Sequence, residues 1–318
     1  MDFDEQEKMI VCLGEILVDF VSSESGCTLA DAPGFLKAAG GAPANVAAGI
    51  AKLGGSSAFL GKVGADPFGD YLIETLRTCG VETRGIVRDE IARTTLAFVS
   101  LTKSGERDFL FYRHPGADQL YSILDIEERL AGCASIFHFG TVSMTAEPAR
   151  TATLHAAKLA KSHGSLISFD PNLRLNLWHD DECARNAIHE GAMLADIIKV
   201  SEEELEWLPK TAPPKLLLVT KGSAGCKWYT PGHSGEVPGF PVETVDTTGA
   251  GDAFHAAVLT KIEANPAILT NPDALTAMCR FANAAGALAT TGKGAIPSLP
   301  YRRDVERFLD ISLPNCTP

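Results

Sequence analysis

The sequence predicts an α/β fold built on a mostly parallel central sheet. Short apolar segments alternate with helix-length amphipathic segments along most of the chain, a spacing typical of a parallel sheet with helices on both faces. The predicted strands span 10–13, 57–63, 136–139, 166–169, 197–200 and 216–219, and an apolar run at 16–21 continues the first. The predicted helices span about 43–53, 67–79, 148–163, 181–195, 202–208 and 274–291, with one more covering 253–262.

One segment departs from this alternation. Residues 94–113 read T-T-L-A-F-V-S-L, then K-S-G-E, then R-D-F-L-F-Y-R, a pattern that predicts a β-hairpin. Since it lies among strand-helix units, we expect it to belong to a small sheet outside the main body. Arg113 and His114, at its end, face either a ligand or solvent.

Composition excludes several classes of protein. The 318 residues carry a formal net charge of -12 with scattered lysines and arginines, which argues against nucleic-acid binding. No run approaches the ~20 apolar residues of a membrane span, and the acidic N-terminus does not resemble a signal peptide. No two of the eight cysteines lie close enough for a zinc knuckle or a C-x-x-C motif, and several sit in apolar runs. We therefore expect a cytoplasmic protein with reduced thiols.

A glycine-rich stretch, Val245 to Phe254, is the first candidate for chemistry. It reads V-D-T-T-G-A-G-D-A-F at the predicted start of a helix, where Thr247 or Thr248 is expected to cap the N-terminus. Two glycines let a ligand approach the backbone, and free N–H groups with the helix dipole behind them bind anions. Asp252 then lies within reach of a bound anion. By itself, the stretch fits a turn with a capping aspartate equally well.

A second glycine-rich stretch runs from 40 to 54 and begins G-G-A-P-A-N. Pro43 suits a first helical turn, and Gly54 ends the helix. Asn45 offers both a donor and an acceptor for hydroxyl groups. Asp19 is the one charge in I-L-V-D-F-V, so its carboxylate pairs with a partner, faces a cavity, or lies in solvent at a strand end.

Common nucleotide and hydrolase motifs are absent from the sequence. There is no G-x-x-x-x-G-K-[ST], no G-x-G-x-x-G after the first strand, no G-x-S-x-G and no H-E-x-x-H. Polar groups instead follow predicted strands, at Asp170-Pro171-Asn172, Ser201 and Thr220-Lys221-Gly222. Ligands of parallel sheets bind beyond the carboxyl ends of strands, so we expect these groups to converge on one edge.

The two glycine-rich stretches together resemble the two signatures of the ribokinase (PfkB) family of sugar kinases. Residues 40–47 and 245–254 carry the match about 200 residues apart, and G-E-I-L-V-D-F and D-P-N-L-R-x-x-L-W extend it. The resemblance implies a ribokinase-like three-layer sandwich, with residues 1–318 as one carbohydrate-kinase domain. Segments at about 17–39 and 92–115 would form a small β-sheet lid over the sugar.

The resemblance also implies roles for individual residues. Asp252 would accept the proton of the sugar hydroxyl, and the turn at 249–251 would be the anion hole, formed by Gly249, Ala250 and Gly251. Arg174 would lie near the phosphoryl path, with a structural salt bridge as the alternative. The implied sugar contacts are Asp19, Gly41, Asn45 and Arg113. The implied nucleotide contacts are Ser201, Thr220, Gly222 and Asn283.

ATP is the implied co-substrate, with Mg²⁺ and, as in many relatives, K⁺. Glu204 lies where the family has an N-x-x-E motif associated with magnesium, but S-x-x-E is also a helix capping box. Asp246 and Thr248, with the turn at 292–298, match the potassium positions. Relatives often form homodimers through the lid, so a homodimer is expected here.

D-fructose is the predicted substrate and fructose 6-phosphate the predicted product. G-G-A-P-A-N resembles fructokinases more than 2-keto-3-deoxygluconate kinases, and D-P-N-L-R-L-N-L-W disfavours adenosine and ribose kinases. A 2-keto-3-deoxygluconate kinase, or another sugar or nucleoside kinase of the family, is the alternative. Two other classes are a non-catalytic sugar-binding regulator and a hydride-transfer enzyme, the latter disfavoured by the missing dinucleotide fingerprint.

Overall fold

The protein is described from a computed structural model that covers residues 8–24, 26–101, 107–210 and 213–311. The strands in these ranges are β1 (Met9–Leu13), β2 (Leu17–Ser22), β3 (Phe35–Gly40), β4 (Ser57–Gly64), β5 (Ile86–Asp89), β6 (Leu96–Leu101), β7 (Arg107–Tyr112), β8 (Ala134–Gly140), β9 (Leu166–Asp170), β10 (Ile197–Ser201), β11 (Leu216–Thr220), β12 (Cys226–Tyr229) and β13 (Ser234–Val237). The α-helices are α1 (Ala42–Lys52), α2 (Pro67–Cys79), α3 (Glu128–Gly132), α4 (Ala149–Ser162), α5 (Asp181–Leu194), α6 (Ala250–Ala264), α7 (Pro272–Ala289), α8 (Ala295–Ser298) and α9 (Arg302–Ile311).

A nine-stranded sheet forms the centre, in the order β13-β12-β11-β10-β9-β8-β1-β4-β5. The seven strands from β11 to β5 are parallel, and β12 and β13 add an antiparallel edge. The predicted mostly parallel sheet is confirmed. The loops that follow β9, β10 and β11 therefore meet at one edge, as expected for a ligand site.

Helices cover both faces of this sheet, which explains the continuous apolar runs of its strands. Successive residues of β1 point to opposite sides: Cys12 packs into a core shared with α1, α6 and α7, and Leu13 into a second core with α3, α4 and α5. The two cores make the three-layer arrangement.

A smaller sheet has the order β3-β2-β6-β7, with β2 and β6 parallel and the other pairs antiparallel. The predicted hairpin is confirmed as β6 and β7, with its turn outside the described residues. Phe20 stacks on Phe98 with ring centroids 5.0 Å apart and meets Phe68 of α2 edge-on at 5.7 Å. These rings join the small sheet to the body.

Two element predictions are wrong. The apolar run at 16–21 does not continue β1, because its backbone pairs with β3 and β6 in the small sheet. Residues 202–208 form no α-helix: a turn leads into a single 3₁₀ turn at Leu205–Trp207. The turn predicted at 292–298 contains a single helical turn, α8.

Candidate active site

The glycine-rich turn leads directly into α6. Gly249 occupies the N-cap position with a φ of 82°, a left-handed conformation that favours glycine. Gly249, not a threonine, is therefore the N-cap residue, so that prediction is wrong. The hydroxyl of Thr248 donates to Oδ1 of Asp246 at 2.7 Å instead. The N-cap glycine has no side chain to bond the first N–H groups of α6, so this N-terminus can receive an external anion.

Asp252 lies in the first turn of α6 with 7% of its surface exposed. Burial raises its pKa to about 6, because a carboxylate loses hydration there. A hydrogen bond from Asn45 and the nearby charge of Lys199 act in the opposite direction. The result is a carboxyl group that is still mostly ionised at neutral pH, yet a better proton acceptor than an ordinary aspartate.

Asn45 connects Asp252 with the other glycine-rich stretch. Its Nδ2 donates to Oδ2 of Asp252 at 2.7 Å, across 207 residues of sequence. Its Oδ1 is buried and has no hydrogen-bond partner among the described residues. An unpaired buried acceptor is costly, so this oxygen is available for a ligand hydroxyl.

The turn before α1 is shaped by Gly40 and Gly41. Gly41 has a φ of 107°, and a Cβ there would collide with the backbone carbonyl of Glu15. A Cβ on Gly40 would collide with the carboxylate of Asp19, which places Asp19 directly against this turn. The structure thus brings Asp19, Gly41 and Asn45 to one region.

Arg113 has a different environment from the one expected of a ligand contact. It is only 3% exposed, and its guanidinium donates to Oδ2 of Asp118 at 2.8 Å. The same group donates to Oγ1 of Thr145 at 2.9 Å and to the carbonyl of Val142 at 3.0 Å. These bonds tie the end of β7 to the segment after β8. A contact between Arg113 and sugar stays a prediction.

An open cleft of about 570 Å³ lies beyond β9 and β10. It is lined by Asn172, Arg174, Lys199, Ser201, Glu204 and Trp207, among others. Arg174 donates to the carbonyl of Leu173 at 3.0 Å and is exposed, and no ion pair involves it in the part of the chain described. A structural salt bridge of Arg174 therefore has no partner among these residues. The positive charge of Arg174 contributes to lowering the pKa of Asp252.

Lys199 is a functional candidate that no motif of the sequence indicated, and it pairs with Asp170, one of the polar groups expected at this edge. Nζ of Lys199 donates to Oδ2 of Asp170 at 2.9 Å, and both side chains are under 10% exposed. Nδ1 of His255 lies 3.6 Å from the same oxygen. The signal was present, because Lys199 is the one charge in the apolar strand I-I-K-V, as Asp19 is in its strand.

The expected nucleotide contacts lie at the ends of β10 and β11, just after β11 and on α7. Gly222 has a φ of 55° and open space beside it, and the Thr220 hydroxyl donates to the carbonyl of Val200 at 3.2 Å. Nδ2 of Asn283 donates to the carbonyls of Val237 and Pro238 at 3.1 and 3.0 Å. That amide holds the loop after β13, and nucleotide contact stays a prediction for all of these residues.

The side chains considered for metals are bonded within the protein. Oε1 of Glu204 accepts from the N–H of Leu173 at 2.6 Å, and Oε2 from the N–H of Ser201 at 2.9 Å. Ser201 Oγ accepts from the N–H of Glu204 at 3.2 Å, which completes a capping box. Asp246 accepts from Thr248 and, at 3.0 Å, from the N–H of Gly294, so the structure brings the three potassium positions together. Among the described residues, no group of three or more His, Cys, Asp or Glu side chains is placed to hold a metal ion.

Comparison with known proteins decides the family. The family model described as pfkB family carbohydrate kinase matches residues 7–302. The chain belongs to the PfkB family of carbohydrate kinases. It is therefore a sugar kinase, and its two-sheet architecture is the ribokinase-like fold.

Fructokinases are among the most similar PfkB relatives. Fructokinase-1 of Zea mays is 49% identical over 316 residues, which cover 95% of this chain and 98% of that protein. A fructokinase of Xylella fastidiosa solved with bound ATP is 36% identical, with a TM-score of 0.88 and coverage of 96% of this chain and 99% of that one. A fructokinase double mutant of Vibrio cholerae O395, solved with fructose, ADP and a potassium ion, is 34% identical, with a TM-score of 0.84 and coverage of 95% and 98%.

Proposed function

We propose that this PfkB kinase transfers the γ-phosphoryl group of ATP to D-fructose and forms fructose 6-phosphate. The observation that carries the proposal is the hydrogen bond from Asn45 to Asp252. This bond joins Asn45, whose Oδ1 can accept from a sugar hydroxyl, to a carboxylate in the first turn of a helix whose N-cap residue is glycine. The fructokinase relatives favour fructose over 2-keto-3-deoxygluconate and other acceptors of the family.

The geometry supports an in-line transfer with Asp252 as base. As the 6-hydroxyl oxygen bonds to phosphorus, its proton passes to Asp252 and the bond from phosphorus to the β-phosphate oxygen breaks, which releases ADP. The N–H groups at 249–251 face the charge of the transferring group. Positioning and charge stabilisation dominate in phosphoryl transfer, so a weak base suffices.

The residues present fit ATP better than they fit a protein-bound metal. Arg174 and Lys199 supply positive charge along the cleft, and Gly222 leaves open space at the next loop. Mg²⁺, when present, would neutralise phosphate charge, held mainly by phosphate oxygens and water, because both oxygens of Glu204 already accept backbone N–H groups. K⁺ would bind beside the loop that Asp246 organises.

The test is a panel assay of the purified chain with ATP and four acceptors: fructose, ribose, 2-keto-3-deoxygluconate and adenosine. We expect kcat/KM for fructose to exceed each of the others by at least about tenfold. Asp252→Asn, which keeps shape and removes the base, should lower kcat by about 1000-fold or more while fructose still binds. A higher kcat/KM on another acceptor refutes the substrate. Full turnover by Asp252→Asn refutes the mechanism, and no turnover by the parent chain supports a sugar-binding regulator.

We also propose a homodimer formed through the small sheet, which would act as the lid over the sugar. Three large apolar side chains of this sheet are exposed: Leu36 by 56%, Leu110 by 48% and Tyr112 by 61%. Such exposure is common at protein interfaces.

We further propose a reducing compartment such as the cytoplasm, because the cysteines of the described ranges form no disulfide. No helix in those ranges is long and apolar enough to cross a membrane.

A further inference from the structure

Lys199 places a buried positive charge behind the anion-binding turn. A Cβ built on Gly251 would lie 3.1 Å from its Nζ, so the ammonium packs directly against the backbone of the first turn of α6. Lys199 is 6% exposed, yet it lines the cleft beyond β9 and β10. A ligand at the helix N-terminus would therefore meet this ammonium as well as the backbone N–H groups.

The ammonium group of Lys199 has N–H donors available for a ligand. Lysine carries three N–H donors, and within the described residues Nζ makes one hydrogen bond, to Oδ2 of Asp170. The carboxylates of Asp170, Glu204 and Asp252 keep it charged against the cost of burial. Burial lowers the pKa of His255, whose Nδ1 lies 3.6 Å from Oδ2 of Asp170, and so favours its neutral form.

We propose that Lys199 is a catalytic residue that donates a hydrogen bond to the phosphoryl group during transfer. The inference rests on the phosphoryl transfer proposed above and adds a donor that neither glycine-rich stretch contains. Lys199 keeps its protons throughout: Asp252 takes the sugar proton, and the ammonium stabilises the phosphoryl oxygens as the bond to ADP breaks.

A structural role is the competing explanation, because Lys199 also neutralises the buried Asp170. Lys199→Met alone leaves Asp170 unpaired and should lower the melting temperature. The double variant Lys199→Met/Asp170→Asn removes both charges and should restore much of it. Lys215→Met is the control, since it breaks a pair of similar length, 3.1 Å, between the exposed Lys215 and Asp196. These two residues precede β11 and β10, at the strand ends opposite the cleft.

The two roles predict different kinetics. If Lys199 contacts the phosphoryl group, both variants lose about 100-fold in kcat while KM for fructose changes less than about threefold. Lys215→Met should keep parent kinetics. Recovery of kcat in the double variant, or near-parent kcat in Lys199→Met, overturns the proposal and leaves Lys199 as a structural partner of Asp170.

A binding measurement separates this proposal from the identity of the sugar. ADP is titrated by calorimetry with and without aluminium fluoride, which mimics a phosphoryl group in flight. The parent should bind ADP much more tightly with the mimic, and the variants should lose that gain while binding ADP alone normally. An unchanged gain in the variants overturns the proposal. If the parent phosphorylates no sugar but binds ADP more tightly with aluminium fluoride, the proposed substrate is wrong. The variants then still test the role of Lys199.

Discussion

At the residue scale, opposing effects set the proton affinity of Asp252. Burial raises its pKa to about 6, while the Asn45 hydrogen bond and the Lys199 charge hold it down. In the proposed mechanism the ionised form is the base, so activity should depend on the balance between these effects. The same burial disfavours the carboxylate in the folded state. This group's contribution to stability therefore falls as pH rises from 3.8, its unfolded value, through about 6.

This balance predicts the pH profile of catalysis. We expect kcat/KM for fructose to fall on the acid side with an apparent pKa of about 6 and to be level just above it. Asn45→Leu removes the donor that stabilises the carboxylate, so the acid limb should move to higher pH in addition to any rise in KM. The exposed Asn186→Leu is the matched control. An acid limb that stays in place in Asn45→Leu would show that this bond does not tune the base.

At the element scale, close packing fixes the turn between β3 and α1, which lies on the proposed sugar side of the site. Gly41 faces the carbonyl of Glu15, and Oε1 of Glu15 accepts from the N–H of Ala42 at 2.9 Å. These two contacts fix the residues after β1, the turn and the start of α1 relative to one another. This packing also fixes the position of Asn45, which lies in the first turn of α1.

A pair of glycine substitutions tests that packing. Gly41→Ala meets both a left-handed φ of 107° and a collision with Glu15, whereas Gly164→Ala meets a φ of 90° with nothing within 4 Å. Gly164→Ala should cost about 1 kcal/mol of unfolding free energy. Gly41→Ala should cost clearly more and raise KM for fructose, as measured by urea denaturation and steady-state kinetics. Equal losses in the two variants would mean that the contact with Glu15 does not matter.

At the scale of the whole molecule, the small sheet stands beside the nine-stranded sheet and joins it through α2 and the turn before α1. Strand register puts Leu110 and Tyr112 on one face of the small sheet and Leu36 on the opposite face. A dimer formed through one face of the small sheet would therefore bury either Leu36 or the pair Leu110 and Tyr112, but not both.

Light scattering with size-exclusion chromatography tests the dimer. The parent chain should elute at twice its 33.8 kDa mass. Leu36→Lys and Leu110→Lys each place a charge on one face, and one of them should give a monomer because a charge in an apolar interface is costly. Leu124→Lys, at a side chain that is 97% exposed outside both sheets, should remain a dimer. A monomeric parent chain excludes this assembly.

The sequence alone was sufficient to predict the strand-helix alternation, because buried strands and amphipathic helices leave periodic apolar patterns. It also identified the two glycine-rich stretches and hence the family. It did not predict which strands pair, because an apolar pattern does not specify the partner of a strand: β2 pairs with β3 and β6 in the small sheet. It also misassigned the cap of α6, since the hydroxyl of Thr248 had a competing local acceptor in Asp246.

The contacts between distant residues could be read only from the three-dimensional arrangement of the chain. The bond from Asn45 to Asp252 and the approach of Lys199 to Gly251 span 207 and 52 residues, and no local pattern encodes such contacts. The shifted pKa of Asp252 and the full bonding of Arg113 and Glu204 likewise depend on burial and on partners from other elements. Local order follows from neighbours along the chain, whereas the chemistry of this site follows from neighbours in space.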